Sequence, residues 1–208
     1  MSLEQLSERY AEHNRTERGR GFIFAGPERE SLFRRYVGGP GRRVLDLGCR
    51  DGALTQAYVA GNEVVGVDAD REALAEAERL GIETHWADLD QPLEFPDASF
   101  DVVVAGELLE HLRDPERLVA EIRRVLRPGG TFVASVPNAY RLKGRLRFLA
   151  GRAPESDPTH LQMFSPAAVR ALLAAFEDSQ VHFVAGRLVP LHARLFANDI
   201  VFVGRKPS

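Results

Sequence analysis

Three carboxylates and one glycine-bearing turn mark where this chain could do chemistry. The turn Asp46-Leu47-Gly48-Cys49-Arg50-Asp51-Gly52 follows a short apolar run. Gly48 and Gly52 let its backbone come close to a ligand held at the start of the next element. Twenty-two residues after Asp46, Asp68 ends a second apolar run. A carboxylate there can accept hydrogen bonds from two vicinal ribose hydroxyls. Twenty residues further on, Asp88 ends a third run, suitably placed for a polar edge such as an adenine amino group. Alone, such a turn is usually a plain strand-to-helix connection, and an acid at a strand end is usually just solvated. Their order within one α/β unit points to a nucleoside site. The Gly-x-Gly-x-x-Gly fingerprint is absent, because residue 50 is Arg and residue 53 is Ala, and there is no Gly-Lys-Ser/Thr phosphate loop. An uncharged nucleoside suits the pattern better than a pyrophosphate.

The elements that must position these groups are legible between residues 42 and 136. Arg43–Leu47 reads as a buried strand, Glu63–Val67 as a second and 83–86 as a short third. Phe100–Ala105 is a fourth and Thr131–Val136 a fifth. Helix-like segments fall at 53–60, at 71–80 with Gly81 as its stop, and on the face Leu118, Val119, Ile122, Val125 and Leu126, ended by Pro128-Gly129-Gly130. Apolar strands alternating with helices imply right-handed crossovers and a parallel sheet covered on both faces, a doubly wound α/β fold. A helix at 166–176 and strands near 180–185 and 199–204 complete the chain.

The 208 residues carry 27 Lys plus Arg and 30 Asp plus Glu, a net charge of −3, with 44% hydrophobic and 27% charged residues. This is a soluble globular mixture of single-domain size. The near-neutral balance argues against a general nucleic-acid binder. The single cysteine, Cys49, cannot form an internal disulfide, which suits a reducing compartment. The polar start lacks the apolar core of a secretory signal, and no run reaches the ~18 apolar residues of a membrane span. A cytoplasmic protein is expected.

The segments VLDLGCRDG (44–52), VVGVDAD (64–70), ADLD (87–90), FDVVVAGELLEHL (100–112), LRPGG (126–130) and FVASVPN (132–138) resemble the successive motifs of Class I S-adenosylmethionine-dependent methyltransferases. HLQMFSPAAVRALL (160–173) is a weaker echo. Within that superfamily the chain looks closest to the small-molecule and quinone-type branch and to the methionine-biosynthesis methyltransferase-like group. The resemblance implies a Rossmann-like, mostly parallel seven-stranded sheet with an antiparallel last strand. It implies one domain over 1–208: an N-terminal helical lid (1–41), a cofactor-binding core (42–136), a substrate-lid insert (137–163) and a C-terminal helix and strands (164–208). It puts Gly48, Cys49 and Gly52 along the methionine moiety of S-adenosylmethionine, with Asp46 ordering the turn. It puts Asp68 at the ribose, Asp88 and Leu89 at the adenine, and Ala105 and Gly106 below the sulfonium, with Ala69 also at the cofactor. The family usually has Gly where this chain has Arg50. Its Asp/Asn-Pro-Pro-Tyr/Phe signature is replaced by Gly106-Glu107-Leu108-Leu109, which argues against amino-nitrogen methylation of bases.

Methyl transfer to a hydroxyl needs near-attack geometry and a group to take the proton. His111, after the fourth strand, is the first candidate base and His160 the second, against the plainer role of capping a segment or binding a backbone carbonyl. Glu107, Asn138 and Tyr140 are polar groups at strand ends that could orient a substrate. The six histidines are dispersed, with no metal-ligand spacing in the sequence. In the insert, Arg141, Lys143, Arg145, Arg147 and Arg152 interleave with Leu142, Leu146, Phe148 and Leu149. The plainer reading is a lid packed on the core. Recognition of an anionic acceptor, or peripheral contact with a membrane, are the others. Tyr10, Phe22 and Phe24 belong to the other half of the lid. The function expected is methylation of a small-molecule acceptor, at oxygen first. A methyltransferase-like subunit that serves a partner enzyme without catalysing is the second reading.

Overall fold

The apolar runs pair side by side in one seven-stranded sheet. Its strands are β1 (Arg43–Leu47), β2 (Glu63–Asp68), β3 (Glu83–Trp86), β4 (Phe100–Gly106), β5 (Leu126–Pro137), β6 (Glu177–Val184) and β7 (Asp199–Arg205), in spatial order β3-β2-β1-β4-β5-β7-β6. The contacts between β1 and β2, β1 and β4, β2 and β3, and β4 and β5 are parallel, and β7 runs antiparallel between β5 and β6. The computed structural model describes residues 2–18, 21, 26–154 and 157–208. Phe22 and Phe24, assigned above to the lid, lie outside the described residues.

Helices cover both faces. On one, α2 (Gly26–Val37) packs Phe33 and Val37 against Val44, Val102 and Val104 of the sheet. The N-terminal segment is therefore not all lid, because α2 belongs to the core. On the other face lie α4 (Pro115–Val125) and α6 (Pro166–Leu172). Asp114 caps α4 by accepting the Arg117 N–H at 2.9 Å, and Pro115 sits where no intrahelical donor is needed. Leu118, Val119, Ile122 and Val125 then point into the core.

Three local readings are corrected. Residues 53–60 form only a short 3-10 turn at Thr55–Ala57. Thr55 and Tyr58 are drawn inward to Asp46, and that competes with a regular helix. Pro128-Gly129-Gly130 does not stop a helix: α4 has already ended at Val125, and the tripeptide bulges within β5, where Phe100 pairs with Leu126 but Val102 with Thr131. The insert forms α5 (Leu142–Leu149), yet its leucines do not pack on the core, since Leu142, Leu146 and Leu149 are all exposed. Inside α5, Gly144 is required because a Cβ there would run into the Ala139 carbonyl. The N-terminal α1 (Leu3–His13), α3 (Arg71–Glu78) after β2 and the short α7 (Ala193–Phe196) are the other α-helices among the described residues. Among the described residues, no helix is long and apolar enough to cross a membrane.

Ile122 is fully buried between α4 and the sheet. Truncating it to Ala removes three carbons and leaves a cavity, so Ile122→Ala is expected to lower unfolding stability by about 2–5 kcal/mol. The neighbouring exposed Arg123→Ala should change it by less than about 0.5 kcal/mol. Denaturant titration of both variants measures the difference.

Candidate active site

At the carboxyl ends of β1, β2 and β4 the sheet opens into a cavity of about 490 Å³. Its floor begins at Asp46, a carboxylate buried at the end of β1. One oxygen accepts from Thr55 Oγ1 at 2.6 Å and from Tyr58 Oη at 2.7 Å, so Asp46 clamps the turn that follows β1. Burial pushes its carboxyl up to about 6, against those two hydrogen bonds. Gly48 has φ +73°, and a Cβ there would crowd the Leu108 side chain at 3.2 Å. Arg50 takes φ +51° although it is not glycine. Its N–H donates to Asp68 Oδ2 at 2.8 Å, and its guanidinium is held by Asp51, with Nε to Oδ1 at 3.1 Å.

Asp68 ends β2 with both oxygens engaged by backbone donors, Arg50 N–H on one and Asp70 N–H on the other, each at 2.8 Å. Each oxygen keeps a lone pair for a further donor. Burial raises this carboxyl to about 6 as well, partly offset by the two N–H groups. Ala69, Asp88 and Leu89 line the same side of the cavity, and Gly106 and Glu107 the opposite side. Glu107 pairs with Arg29 of α2 at 3.2 Å, both side chains being nearly buried. The Arg29 Nε is buried and unpartnered among the described residues, at a cavity wall. An unpaired charged donor in such a place is costly unless a ligand satisfies it.

The roof comes from the two ends of the reading above. From α1 come Leu6, Arg9, Tyr10 and His13, followed by Asn14, and from the insert come Asp157, Thr159 and His160. Asn14 Nδ2 donates to Asp70 Oδ2 at 2.7 Å, and Ser7 Oγ accepts the Arg71 N–H, which fixes α1 on the start of α3 (Arg71–Glu78). His13 and His160 both approach Asp157 Oδ2, at 3.5 and 3.6 Å. Burial alone would raise the Asp157 carboxyl. The Thr159 hydroxyl and N–H, then the two imidazoles, bring it down to about 2.

His111 lies between these halves, buried, with Tyr10 edge-on at 6.0 Å and His160 at 4.9 Å between ring centroids. Its Nδ1 is 3.2 Å from the Thr159 carbonyl oxygen, which can only accept. Nδ1 is thereby the protonated nitrogen and Nε2 the one that can take a proton.

The structure brings Asp46, Gly48, Cys49, Asp68, Ala69, Asp88, Leu89, Gly106, Glu107, His111 and His160 to one cavity. Four expected site residues lie off it. Gly52 is buried against the turn between α3 and β3, where a Cβ would meet Ile82 at 2.8 Å and Leu80 at 2.9 Å. Ala105 is sealed inside β4. Asn138 spends its amide on the Arg194 and Ala197 carbonyls and so ties β5 to α7. Tyr140 is exposed outside the cavity. Tyr10, expected in the N-terminal half of the lid, does reach the cavity, whereas Arg29 and Asp157 were not foreseen. The dispersed histidines also converge: Glu110, His111 and His160 each bring one ligand atom within 4.8 Å of the others, a grouping that could hold a cation.

The raised carboxyls have a measurable consequence. A native pKa near 6 against an ordinary value near 3.9 means folding favours protonated Asp46. Its contribution to stability is complete below about pH 4 and is lost as the pH rises through about 6. In Asp46→Asn the amide oxygen can accept from Thr55 and Tyr58 without titrating. The stability of the native chain relative to Asp46→Asn should therefore fall by on the order of 3 kcal/mol between pH 4 and pH 7. Denaturant midpoints at stepped pH read this directly, and parallel curves would remove Asp46 as the source.

Residues 45–134 match the family model of the methyltransferase domain. The chain is 38% identical over 162 residues to a probable S-adenosylmethionine-dependent methyltransferase of Mycolicibacterium smegmatis, covering 74% of this chain and 60% of that protein. It is 36% identical over 106 residues to a ubiquinone biosynthesis O-methyltransferase of Hahella chejuensis, covering 48% of this chain and 44% of that one. The chain thus spans about half the length of these relatives. In structure it is similar to a SAM-dependent methyltransferase from Archaeoglobus fulgidus, with a TM-score of 0.71 at 18% identity over 95% of this chain and 99% of the other. With the strand order, the acids at the strand ends and these matches together, the chain carries a methyltransferase domain over residues 45–134, has S-adenosylmethionine-dependent methyltransferases as homologues and shares the class I methyltransferase fold.

Proposed function

We propose that this protein methylates a hydroxyl of a small-molecule acceptor, with S-adenosylmethionine as the donor. The observation that carries the reading is the meeting of two sets of groups in one cavity: the Asp68 and Asp88 carboxylates, and a buried histidine whose Nδ1 is turned to the Thr159 carbonyl. The relatives named as O-methyltransferases support oxygen as the atom methylated.

The residues fit the cofactor. Asp68 has lone pairs for the ribose hydroxyls, and the bare Gly48 backbone lets the methionine portion lie close. Arg29 and Glu107 offer opposite charges to the zwitterionic amino-acid end, and the buried Arg29 Nε is a donor awaiting a carboxylate. When bound, the cofactor supplies an electrophilic methyl group on a sulfonium. His111 takes the acceptor's proton at Nε2, and the Thr159 carbonyl stabilises the imidazolium through Nδ1–H. Tyr10 and the residues after Asp157 keep water from the reacting atoms. Arg50 does not argue for a subunit without catalysis: its guanidinium is taken up by Asp51 rather than left loose in the cavity.

Calorimetric titration with S-adenosylmethionine and S-adenosylhomocysteine tests the cofactor assignment, and an absence of binding at millimolar cofactor overturns it. Asp68→Ala should weaken binding by about 1–3 kcal/mol, the loss of hydrogen bonds to a charged acceptor. On any hydroxyl acceptor that turns over, His111→Ala should slow the reaction by about 10²–10⁴-fold with cofactor affinity nearly unchanged. Full activity in that variant ends its role as base.

A further inference from the structure

The reaction leaves one part of the molecule unused, the outer face of α5. Leu142, Leu146 and Leu149 recur at helical spacing, and with Phe148 they are 37%, 56%, 81% and 68% exposed. A helix seated on a core buries such a stripe, whereas this one turns it to the outside. The stripe runs into a shallow groove walled by Leu142, Leu146, Ala150 and Phe196, where α5 meets α7. The turn leading into α7 adds Leu188 and Leu191, both exposed. All the charged residues of 141–152 are cations, Arg141, Lys143, Arg145, Arg147 and Arg152, in a chain whose net charge is −3. Three of them are braced by the fold: Arg141 donates to Asn198 Oδ1, Arg145 Nε to the Tyr140 carbonyl at 2.8 Å and Arg147 Nε to the Ala153 carbonyl at 2.9 Å. Lys143 and Arg147 line both the groove and the main cavity, so this apolar, cationic face stands beside the cavity.

We propose that α5 is an interfacial docking element that seats the protein on an anionic lipid bilayer. Its leucines and Phe148 enter the headgroup–acyl boundary, and its cations stay at the level of the lipid phosphates. A bilayer meets both halves of the observation at once, removing apolar side chains from water and neutralising a local excess of positive charge. A second copy of this chain fits less well, because a two-fold contact through α5 sets its three cations, Lys143, Arg145 and Arg147, against the same three. Docked in this way, the cavity lies next to the headgroup layer. Taken with the reading of the cavity as a methyl-transfer site, this makes the acceptor an amphiphile that reaches His111 from the bilayer. The docking itself does not depend on that reading.

Vesicle flotation with the whole chain tests it, comparing phosphatidylglycerol–phosphatidylcholine vesicles with phosphatidylcholine alone. Binding to the anionic vesicles is expected, at least tenfold weaker on the neutral ones and weakened by added salt. The double variant Phe148→Asp, Leu149→Asp should lose at least tenfold in vesicle binding while its titration with S-adenosylmethionine is unchanged, which shows that the fold is intact. No flotation with anionic vesicles overturns the proposal, as does equal binding by the double variant. A dimer in sedimentation equilibrium that the double variant dissolves, without vesicle binding, assigns the face to self-association instead. Vesicle binding without turnover of any acceptor leaves the docking standing and removes the methyl-transfer reading, so the two fail separately.

Discussion

The cavity exists because the strand order reverses beside β1. From β1 the chain steps to β2 and β3 on one side, then crosses to β4 and β5 on the other. The connections after β1 and β4 therefore lead away from each other, and no element of the sheet can fill the space between them. Every polar group of the site depends on that gap. Asp46 and Asp68 end neighbouring strands at its edge, and both are carboxylates in surroundings that disfavour charge. They persist there because fixed donors meet them: two hydroxyls for Asp46, two backbone N–H groups for Asp68. Removing water from an acid and replacing it with donors that cannot move is how a site is organised in advance of its ligand.

Arg50 shows how local strain is absorbed at the same place. A left-handed backbone costs a non-glycine residue roughly 1–2 kcal/mol. Here the conformation turns the Arg50 N–H onto Asp68 and swings the guanidinium to Asp51. Asp51 also accepts the Gly21 N–H at 2.7 Å, so one carboxylate joins the N-terminal segment to the turn. Its own carboxyl is held low: burial works against ionisation, but the Gly21 N–H and the Arg50 guanidinium outweigh it. A glycine at position 50 would relax the turn and lose the ion pair with Asp51.

The core was legible in the sequence because its signals are local. Runs such as RVLDL and FDVVVA are buried on both faces of a parallel sheet and so read as unbroken apolar stretches. The acids at the ends of β2 and β3 were legible for the same reason, being fixed by the strands they terminate. What failed was decided at a distance. Residues 53–60 have helical composition, but Asp46 draws Thr55 and Tyr58 out of a regular helix. Asn138 and Tyr140 follow β5 as a substrate-binding pair would, yet the approach of α7 commits the first and leaves the second outside. Arg29 belongs to a helix that reads as surface, and only the packing of α2 over Gly106 brings it to the cavity. The need for Gly there is tertiary too, since a Cβ at 106 would meet Leu54 at 2.8 Å.

The roof differs from the floor in kind. Below the ligand space, contacts are apolar and continuous, from Leu45 and Val65 through Val103 to Phe132. Above it, α1 meets α3 through Asn14 on Asp70, Ser7 beneath the Arg71 N–H and an exposed Arg15–Glu72 pair. It meets the insert through His13 on Asp157. Each of these exchanges with water at a net cost of only about 0.5–1.5 kcal/mol, and the exposed pair at less. Losing a buried leucine or isoleucine from the floor costs several times that. The cheapest opening of the molecule is accordingly the separation of α1 from Asp157 and from α3, which exposes His111 without disturbing the sheet. α1 and the insert cover part of the cavity, so their separation widens its mouth. The contacts that water can replace lie where that widening occurs.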